Sequence, residues 1–454
     1  MKRYLAVDIG ASSGRHIVGY IQDGTLRIDE VYRFKNGTEE KDGHLVWNTD
    51  ALYFHVKEGM KEAFEKYGEI DAVSVDTWAV DYVLMRGEKE VFPCYGYRDS
   101  RTEAVIPEVH SVVPFSELYS RTGIQFQPFN TIYQLYADKK AGRLEGVTDV
   151  LMLPTYLMYK LTGIKAMEYT NATSTGLVNA ETNDFDEEIL AKLGIPREIL
   201  GKIVSACTVL GPLKDEVAAE VGGQTTVVLC ATHDTASAVL AAPIGTDCSM
   251  PYISSGTWSL LGIEQPCAHT DAESMRNNFT NEGAPGGFYR YQKNIMGLWM
   301  LQSARSEMHL GFNEAEDIAK RNPCDAVVDC NDNVFLSPKS MCRAVRDMAG
   351  VPLTDGELLY CIYNSLAHCY RDAIGELCGK LGKKYTGLRI IGGGSRDMLL
   401  NRLTSSVAGV TVFAGPTEGT ALGNLVAQML ALGEIKTIGE GRDLISVSFV
   451  SVTI

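Results

Sequence analysis

Two runs, the apolar Tyr4–Gly10 and His16–Tyr20, are separated only by Ala11-Ser12-Ser13-Gly14 and Arg15. A spacer this short cannot carry a crossover, so the runs must pair as antiparallel strands. A third run, Leu26–Phe34, follows the Asp23-Gly24 turn signal and extends the meander. The pattern returns weakly in the second half as Pro251–Ser255, the turn Gly256-Thr257, and Trp258–Ile263. A chain of 454 residues has room for two or three domains, and the repeated opening points to two halves of one kind.

Helical periodicity fills the space between the strands. Asp50 is placed to cap a helix whose apolar face is Leu52, Val56, Met60 and Phe64, and Gly68 ends it. Strands are expected at Ala72–Asp76, Val80–Met85 and Val227–Ala231, with helices at Thr131–Ala141, Thr155–Leu161 and Ala236–Ala242. Pro243 and Gly245 stop the last of these, which sets the expected domains at 1–243 and 244–454. In the second half Thr354 and Glu357 form a capping box ahead of a long helix reaching Leu377. A strand Leu388–Ile391, a helix Met398–Ala408, a strand Val410–Phe413 and a helix Thr420–Leu432 follow. Strands alternating with helices make both halves α/β.

The formal charge of −15 argues against a partner held by bulk positive charge, so nucleic acid is not expected. A phosphorylated ligand would need local means: backbone N–H groups, a helix N-terminus or a metal ion. The 44 glycines, without a repeat period, suit tight backbone turns at such a ligand. No apolar run approaches the ~18 residues of a membrane span, and the first residues lack a signal-peptide apolar stretch. Eleven cysteines with no CxxC pair read as free thiols of a reducing cytoplasm rather than a zinc site.

Several motifs carry possible chemistry. Residues 10–14 match G-x-S-x-G, but that nucleophile elbow needs a strand before it and a helix after it, and here a strand follows. The turn reads either as an ordinary hairpin or as a loop whose small residues let N–H groups approach phosphate, with Arg15 beside it and Asp8 able to hold Mg²⁺. Gly392-Gly393-Gly394 lies between a strand and a helix, but Asp397 occupies the place of the last glycine of a dinucleotide fingerprint. No P-loop or protein-kinase signature occurs. Asp234 follows an apolar strand between His233 and Thr235, where open α/β sheets keep ligands, and a carboxylate there can accept a proton from a hydroxyl. Trp78 and Asp81 in TWAVD read as a sugar platform or as a core Trp with a turn Asp, and Trp258 invites the same two readings.

In order along the chain, AVDIGASSGR, SVDTWAVDYV, YRDSRT, THDTASAV, SSGTWSLLG, KNIMGLWMLQ and IIGGGSRDMLLN resemble the FGGY family of carbohydrate kinases. The resemblance runs from about Tyr4 to about Leu432. It implies the two-domain actin/Hsp70-like (ribonuclease H-like) ATPase fold with a central cleft, and a small sugar and ATP with Mg²⁺ as ligands. The finer combination of ASSGR, GIQFQPFNT, EYTNATSTG and NIMGLW implies L-rhamnulose, phosphorylated at its 1-hydroxyl, as the sugar. Asp234 would be the proton acceptor. Ala11, Ser12, Ser13, Gly14 and Arg15 would form the first phosphate loop, with Thr257 in the second. Gln302 and Gly394 would serve the nucleotide, while Ala79, His233, Thr235 and Asn294 would contact the sugar. Two positions depart from the family pattern: Ala79 stands where TWGVD has glycine, and Asp397 where asparagine is usual.

The alternatives divide by class. Another kinase of the family, for L-fuculose or xylulose, shares the phosphate motifs. A non-catalytic ATP-binding scaffold would not need the acid at Asp234. A sugar-sensing repressor would need a helix-turn-helix, for which the expected strand at Tyr4 leaves no room, and a hydrolase would need partners for Ser12 that the strand order does not offer. No obligatory protein partner is expected.

Overall fold

The computed structural model describes residues 1–454. The chain forms two compact units: one of residues 1–241, 264–291 and 420–448, the other of residues 242–263, 292–419 and 449–454. The chain therefore crosses repeatedly between units, where the sequence suggests a single division after Pro243. Two of the crossings fall inside strands, Trp258–Gln265 and Phe288–Met296.

In the first unit a six-stranded sheet runs in the order Thr208–Pro212, Thr226–Leu229, Ala72–Thr77, Tyr4–Ile9, Ser13–Gln22, Thr25–Lys35. Its centre is a parallel trio, Thr226–Leu229, Ala72–Thr77 and Tyr4–Ile9. The outer strands are antiparallel, as the opening meander requires. Asp23 and Gly24 both take positive φ, which matches the twist of a two-residue hairpin turn. Both central strands Tyr4–Ile9 and Ala72–Thr77 are wholly buried. The helix after the meander spans Thr49–Tyr67, and its cap is Asn48, whose side chain accepts from Ala51 N; Asp50 instead lies in the first turn. Asn and Asp cap equally well, so two candidates close together leave the choice to the path of the chain. The helix sets Leu52, Val56, Met60 and Phe64 into a core shared with Val7, Val73 and Val75.

The second unit repeats the plan. Tyr252–Ser255, Gly387–Ile391 and Thr411–Ala414 form its parallel trio, and Trp258–Gln265 folds back antiparallel on the first of them. The repeated sequence opening is thus a repeated structure, a hairpin feeding a parallel trio. The long helix runs Asp355–Leu381 behind Thr354, with the expected capping box formed. No helix is long and apolar enough to cross a membrane.

Candidate active site

The parallel trio of the first unit delivers acids to one place. Asp8 and Asp76 hold the same position on adjacent parallel strands and are direct register partners. The third strand leads through Thr232, whose carbonyl accepts from Thr77 N at 3.1 Å, to His233 and Asp234. Asp76 is fully buried, and burial pushes its carboxyl well above the usual carboxylate range, with the Asp8 and Asp234 charges adding to the effect. Asn424 opposes this, donating to Asp76 Oδ2 at 2.6 Å, while Asp76 Oδ1 has no hydrogen-bond partner. Asp234, its side chain 32% exposed, is also raised, first by desolvation.

Asp234 opens a short helix, Asp234–Leu240, of small buried residues. Their size matters: a Cβ on Gly423, from the helix Gly419–Ala431, would lie 1.7 Å from the carbonyl oxygen of Ser237. Thr235 braces the acid, with its N–H 2.5 Å and its hydroxyl 3.2 Å from Asp234 Oδ1. Oδ2 takes neither of these bonds. The strand end is fixed by buried Glu168, which accepts from the N–H and hydroxyl of Thr232 and from those of Thr170.

The turn from Ala11 to Arg15 is tied down at its carbonyls. Gly10 N donates to Ser13 O, Asn36 N to Ser12 O, and the Asn36 amide to Gly10 O. Neither Gly10 nor Gly14 takes a left-handed φ. Gly14 instead makes room, since a Cβ there would fall 2.2 Å from the Phe34 ring. Arg15 lies in the strand Ser13–Gln22 and turns its guanidinium onto Asp8.

Trp78 is a core residue. Its ring packs on Trp47 with centroids 4.1 Å apart, and both indole N–H groups donate to Asp81 Oδ2. Tyr97 N and the Gln134 amide donate to the same carboxylate. Even so, burial lifts Asp81 to about 6. Ala79 stays half-buried in this turn, and its carbonyl accepts from Asp81 N across Val80, whose φ is +69°. A branched residue there is strained, and the turn holds it.

In the second unit Thr257 is exposed at the tip of its hairpin, and Trp258 is half-buried beside it. Gly256 O and Thr257 O accept from the N–H groups of Leu298 and Trp299. Gly297 permits this approach, because a Cβ there would sit 2.6 to 2.8 Å from the backbone of residues 257–259. Gly394 presses on the same strand end, its imagined Cβ 1.9 Å from Ser255 Oγ. Gln302 follows on the helix Trp299–Glu307 and lines a small hollow with Leu298, Leu301, Arg305, Phe312 and Tyr363. Asn294 lies on the strand Phe288–Met296 with its Oδ1 buried and unpartnered. Asp397 is tied to the glycines, its N–H donating to Gly394 O at 3.0 Å, and it caps the helix Met398–Ala408, accepting from Leu400 N. Aspartate caps as well as asparagine does, which accounts for the departure at this position.

The structure therefore joins Asp8, Arg15, His233, Asp234 and Thr235 in one unit, and Thr257, Gln302 and Gly394 around one strand end in the other. Asp76, Asn36, Asn424, Glu168 and Glu282 belong to the first group; Asp76 and Glu168 lie in the runs SVDTWAVDYV and EYTNATSTG, but sequence reasoning singles out none of the five. One signal was available for Asp76: Asp8 and Asp76 each occupy the fifth place of a buried six-residue strand.

Family comparisons agree with this layout. The FGGY family of carbohydrate kinases, N-terminal domain, matches residues 3–241, and its C-terminal domain matches residues 251–432. A rhamnulokinase of Halalkalibacterium halodurans is 43% identical over 99% of this chain and 98% of its own length. One of Bacillus subtilis is 39% identical over 98% and 94%. Among solved structures, a ligand-bound xylulose kinase from Lactobacillus acidophilus superposes with a TM-score of 0.83 at 18% identity, covering 100% of this chain and 93% of that one. Plasmodium falciparum glycerol kinase with ADP gives 0.81 at 15% identity, covering 99% and 94%. These two share the fold. With both family domains matched along most of its length, the chain belongs to the FGGY family of carbohydrate kinases.

Proposed function

We propose that the chain transfers the γ-phosphoryl group of ATP to the 1-hydroxyl of L-rhamnulose. The observation that carries the reading is Asp234 at the end of a parallel strand, its Oδ1 braced by Thr235 and its proton affinity raised by burial. The near-full-length likeness to rhamnulokinases supports the choice of sugar. The sugar's O–H bond breaks as its proton passes to Asp234, and the oxygen bonds to the γ-phosphorus. The bond from that phosphorus to the β–γ bridging oxygen breaks, and ADP leaves. An ordinary aspartate, with a pKa of ~4, is a weak base toward an alcohol, so raising its affinity for the proton helps.

Positioning and charge neutralisation do most of the remaining work. The turn Ala11–Arg15 offers backbone N–H groups to phosphate, as does the turn at Thr257. Gln302 and Gly394 serve the nucleoside, while His233, Thr235, Asn294 and Ala79 serve the sugar. Asp8 and Asp76 fit a hard cation: both offer carboxylate oxygens, and Asp76 Oδ1 has no protein partner. No group of three or more metal-binding side chains forms a cage, which suits Mg²⁺ held by one or two carboxylates with phosphates. Bound there, Mg²⁺ would neutralise phosphate charge. Within this reading the sugar falls mostly to residues of 1–243 and the nucleoside to residues of 244–454, and the reaction takes place in the cytoplasm without an obligatory protein partner.

ADP release with ATP and a panel of ketoses tests the reading. The expected result is a kcat/KM for L-rhamnulose about tenfold or more above those for L-fuculose and xylulose, a margin a few differing sugar contacts can supply. A higher value for either of the others would overturn it.

A further inference from the structure

Behind Asp234 lies a buried array supplied by a segment outside the N-terminal family domain. The hairpin of Thr280–Ala284 and Phe288–Met296 brings Glu282 and Arg290 into the first unit. Arg290 is wholly buried; its Nε donates to Gly283 O at 3.1 Å and its terminal nitrogen to Glu282 Oε2 at 2.9 Å. His233 Nδ1 is 3.2 Å from the same Glu282 oxygen and 3.1 Å from that arginine nitrogen. The other ring nitrogen, Nε2, is 3.4 Å from Asp234 Oδ1.

The near-equilateral triangle decides where the histidine carries its proton. The two hydrogens of one guanidinium nitrogen are splayed too widely to serve two corners of so tight a triangle. The shorter contact, to the charged oxygen, takes one of them. An unprotonated Nδ1 would then aim its lone pair at an anionic oxygen, whereas a protonated Nδ1 donates to it. With Nδ1–H on Glu282, a neutral ring carries its lone pair at Nε2, which at 3.4 Å stands farther from Asp234 Oδ1 than Nδ1 at 3.2 Å does from Glu282.

We infer that Glu282, held by Arg290, is a positioning residue that fixes the Nδ1–H tautomer of His233, so that Nε2 and Asp234 together form a pair of acceptors awaiting a substrate hydroxyl. Two acceptors this close repel one another until a donor comes between them. The sugar's reacting O–H is such a donor, and the bare Nε2 adds no further donor to the two that Thr235 already gives Asp234 Oδ1. The inference rests on the reading of Asp234 as the proton acceptor, but the ring tautomer can be observed without turnover.

Glu282→Gln removes the anion. Arg290 then becomes the donor to Nδ1, the ring proton moves to Nε2, and Nε2–H bonds to Asp234 Oδ1, reducing its affinity for the sugar's proton. Nitrogen-15 NMR of histidine-labelled protein, with His233 assigned by its loss in His233→Asn, should show Nδ1 protonated and Nε2 bare in the native chain and the reverse in Glu282→Gln. Turnover of that variant should drop about 10- to 100-fold, less than the ~10²- to 10⁴-fold expected for losing the base itself, while sugar KM changes by less than about threefold. Glu282→Asp, which keeps the anion, should retain the native tautomer. A native ring protonated at Nε2, or a folded Glu282→Gln enzyme with native kcat, would overturn the assignment. Because the native tautomer is read without Glu282→Gln, the inference stays testable if that variant does not fold. If Asp234→Asn turned over normally, the base reading would fall while the NMR result still decided the role of Glu282.

Discussion

Arg15 places its Nε and one terminal nitrogen 2.9 and 2.7 Å from a single carboxylate oxygen of Asp8, its own partner across the antiparallel pair. One cation therefore stands against three acids, Asp8, Asp76 and Asp234, whose charges reinforce one another. A second cation is the natural complement, and ATP brings four further negative charges or nearly so at neutral pH. ATP should raise Tm more with Mg²⁺ than with EDTA, since a tighter ligand stabilises more at the same concentration. In Asp76→Asn that difference should shrink. Thermal scans with and without chelator check this; equal ATP shifts in both would contradict the metal reading.

Asp234→Asn should lower kcat about 10²- to 10⁴-fold at saturating sugar and ATP, with the fold retained. The substitution also removes a carboxylate that burial penalises, so Tm at neutral pH should not fall. Steady-state kinetics and a melting curve on one preparation test both halves. Turnover near that of the native chain would remove Asp234 as the base.

Gly14→Ala sets a Cβ 2.2 Å from the Phe34 ring in a strand whose φ is ordinary. Overpacking of this kind costs about 1–3 kcal/mol. Denaturant unfolding should show that loss, and Phe34→Leu in the Gly14→Ala background should return part of it. An unchanged midpoint for Gly14→Ala would show that the ring moves aside without cost.

Burial lifts Asp397 to about 6, with Glu316 nearby adding to the effect, while the cap hydrogen bond from Leu400 N opposes it. A carboxyl whose folded pKa exceeds its unfolded value of ~4 binds its proton more tightly when folded. Its charged form therefore costs nothing below about pH 4 and costs most above pH 6. Asp397→Asn keeps the cap and removes the charge, so its gain in Tm over the native chain should be larger at pH 7.5 than at pH 4.5. A gain that does not grow with pH would contradict the assignment.

Much of this architecture could be read from local pattern. The meander was legible because unbroken apolar runs flank turns too short to cross the sheet, and the helix behind Thr354 because its capping box and spacing agree. The return of residues 264–291 and 420–448 to the first unit was not, since no local signal says which unit a strand will join. For the same reason Glu282 and Arg290 escaped notice: each is an ordinary charged residue until the hairpin sets them against His233. Gly14 and Gly297 show the opposite limit. Each lies in a run that carries the family resemblance, but only coordinates distinguish room for a neighbouring ring from close approach of two backbones.

The most direct measurement is the identity of the product. Phosphorus-31 NMR of a reaction with ATP and L-rhamnulose should show a new phosphate monoester, appearing with ADP in equal amount, whose phosphorus couples to the two hydrogens on C1. An ester coupled to a single hydrogen would place the phosphate on a secondary carbon, and ADP formed with inorganic phosphate alone would mean that water takes the phosphoryl group. Either result would contradict transfer to the 1-hydroxyl of the sugar.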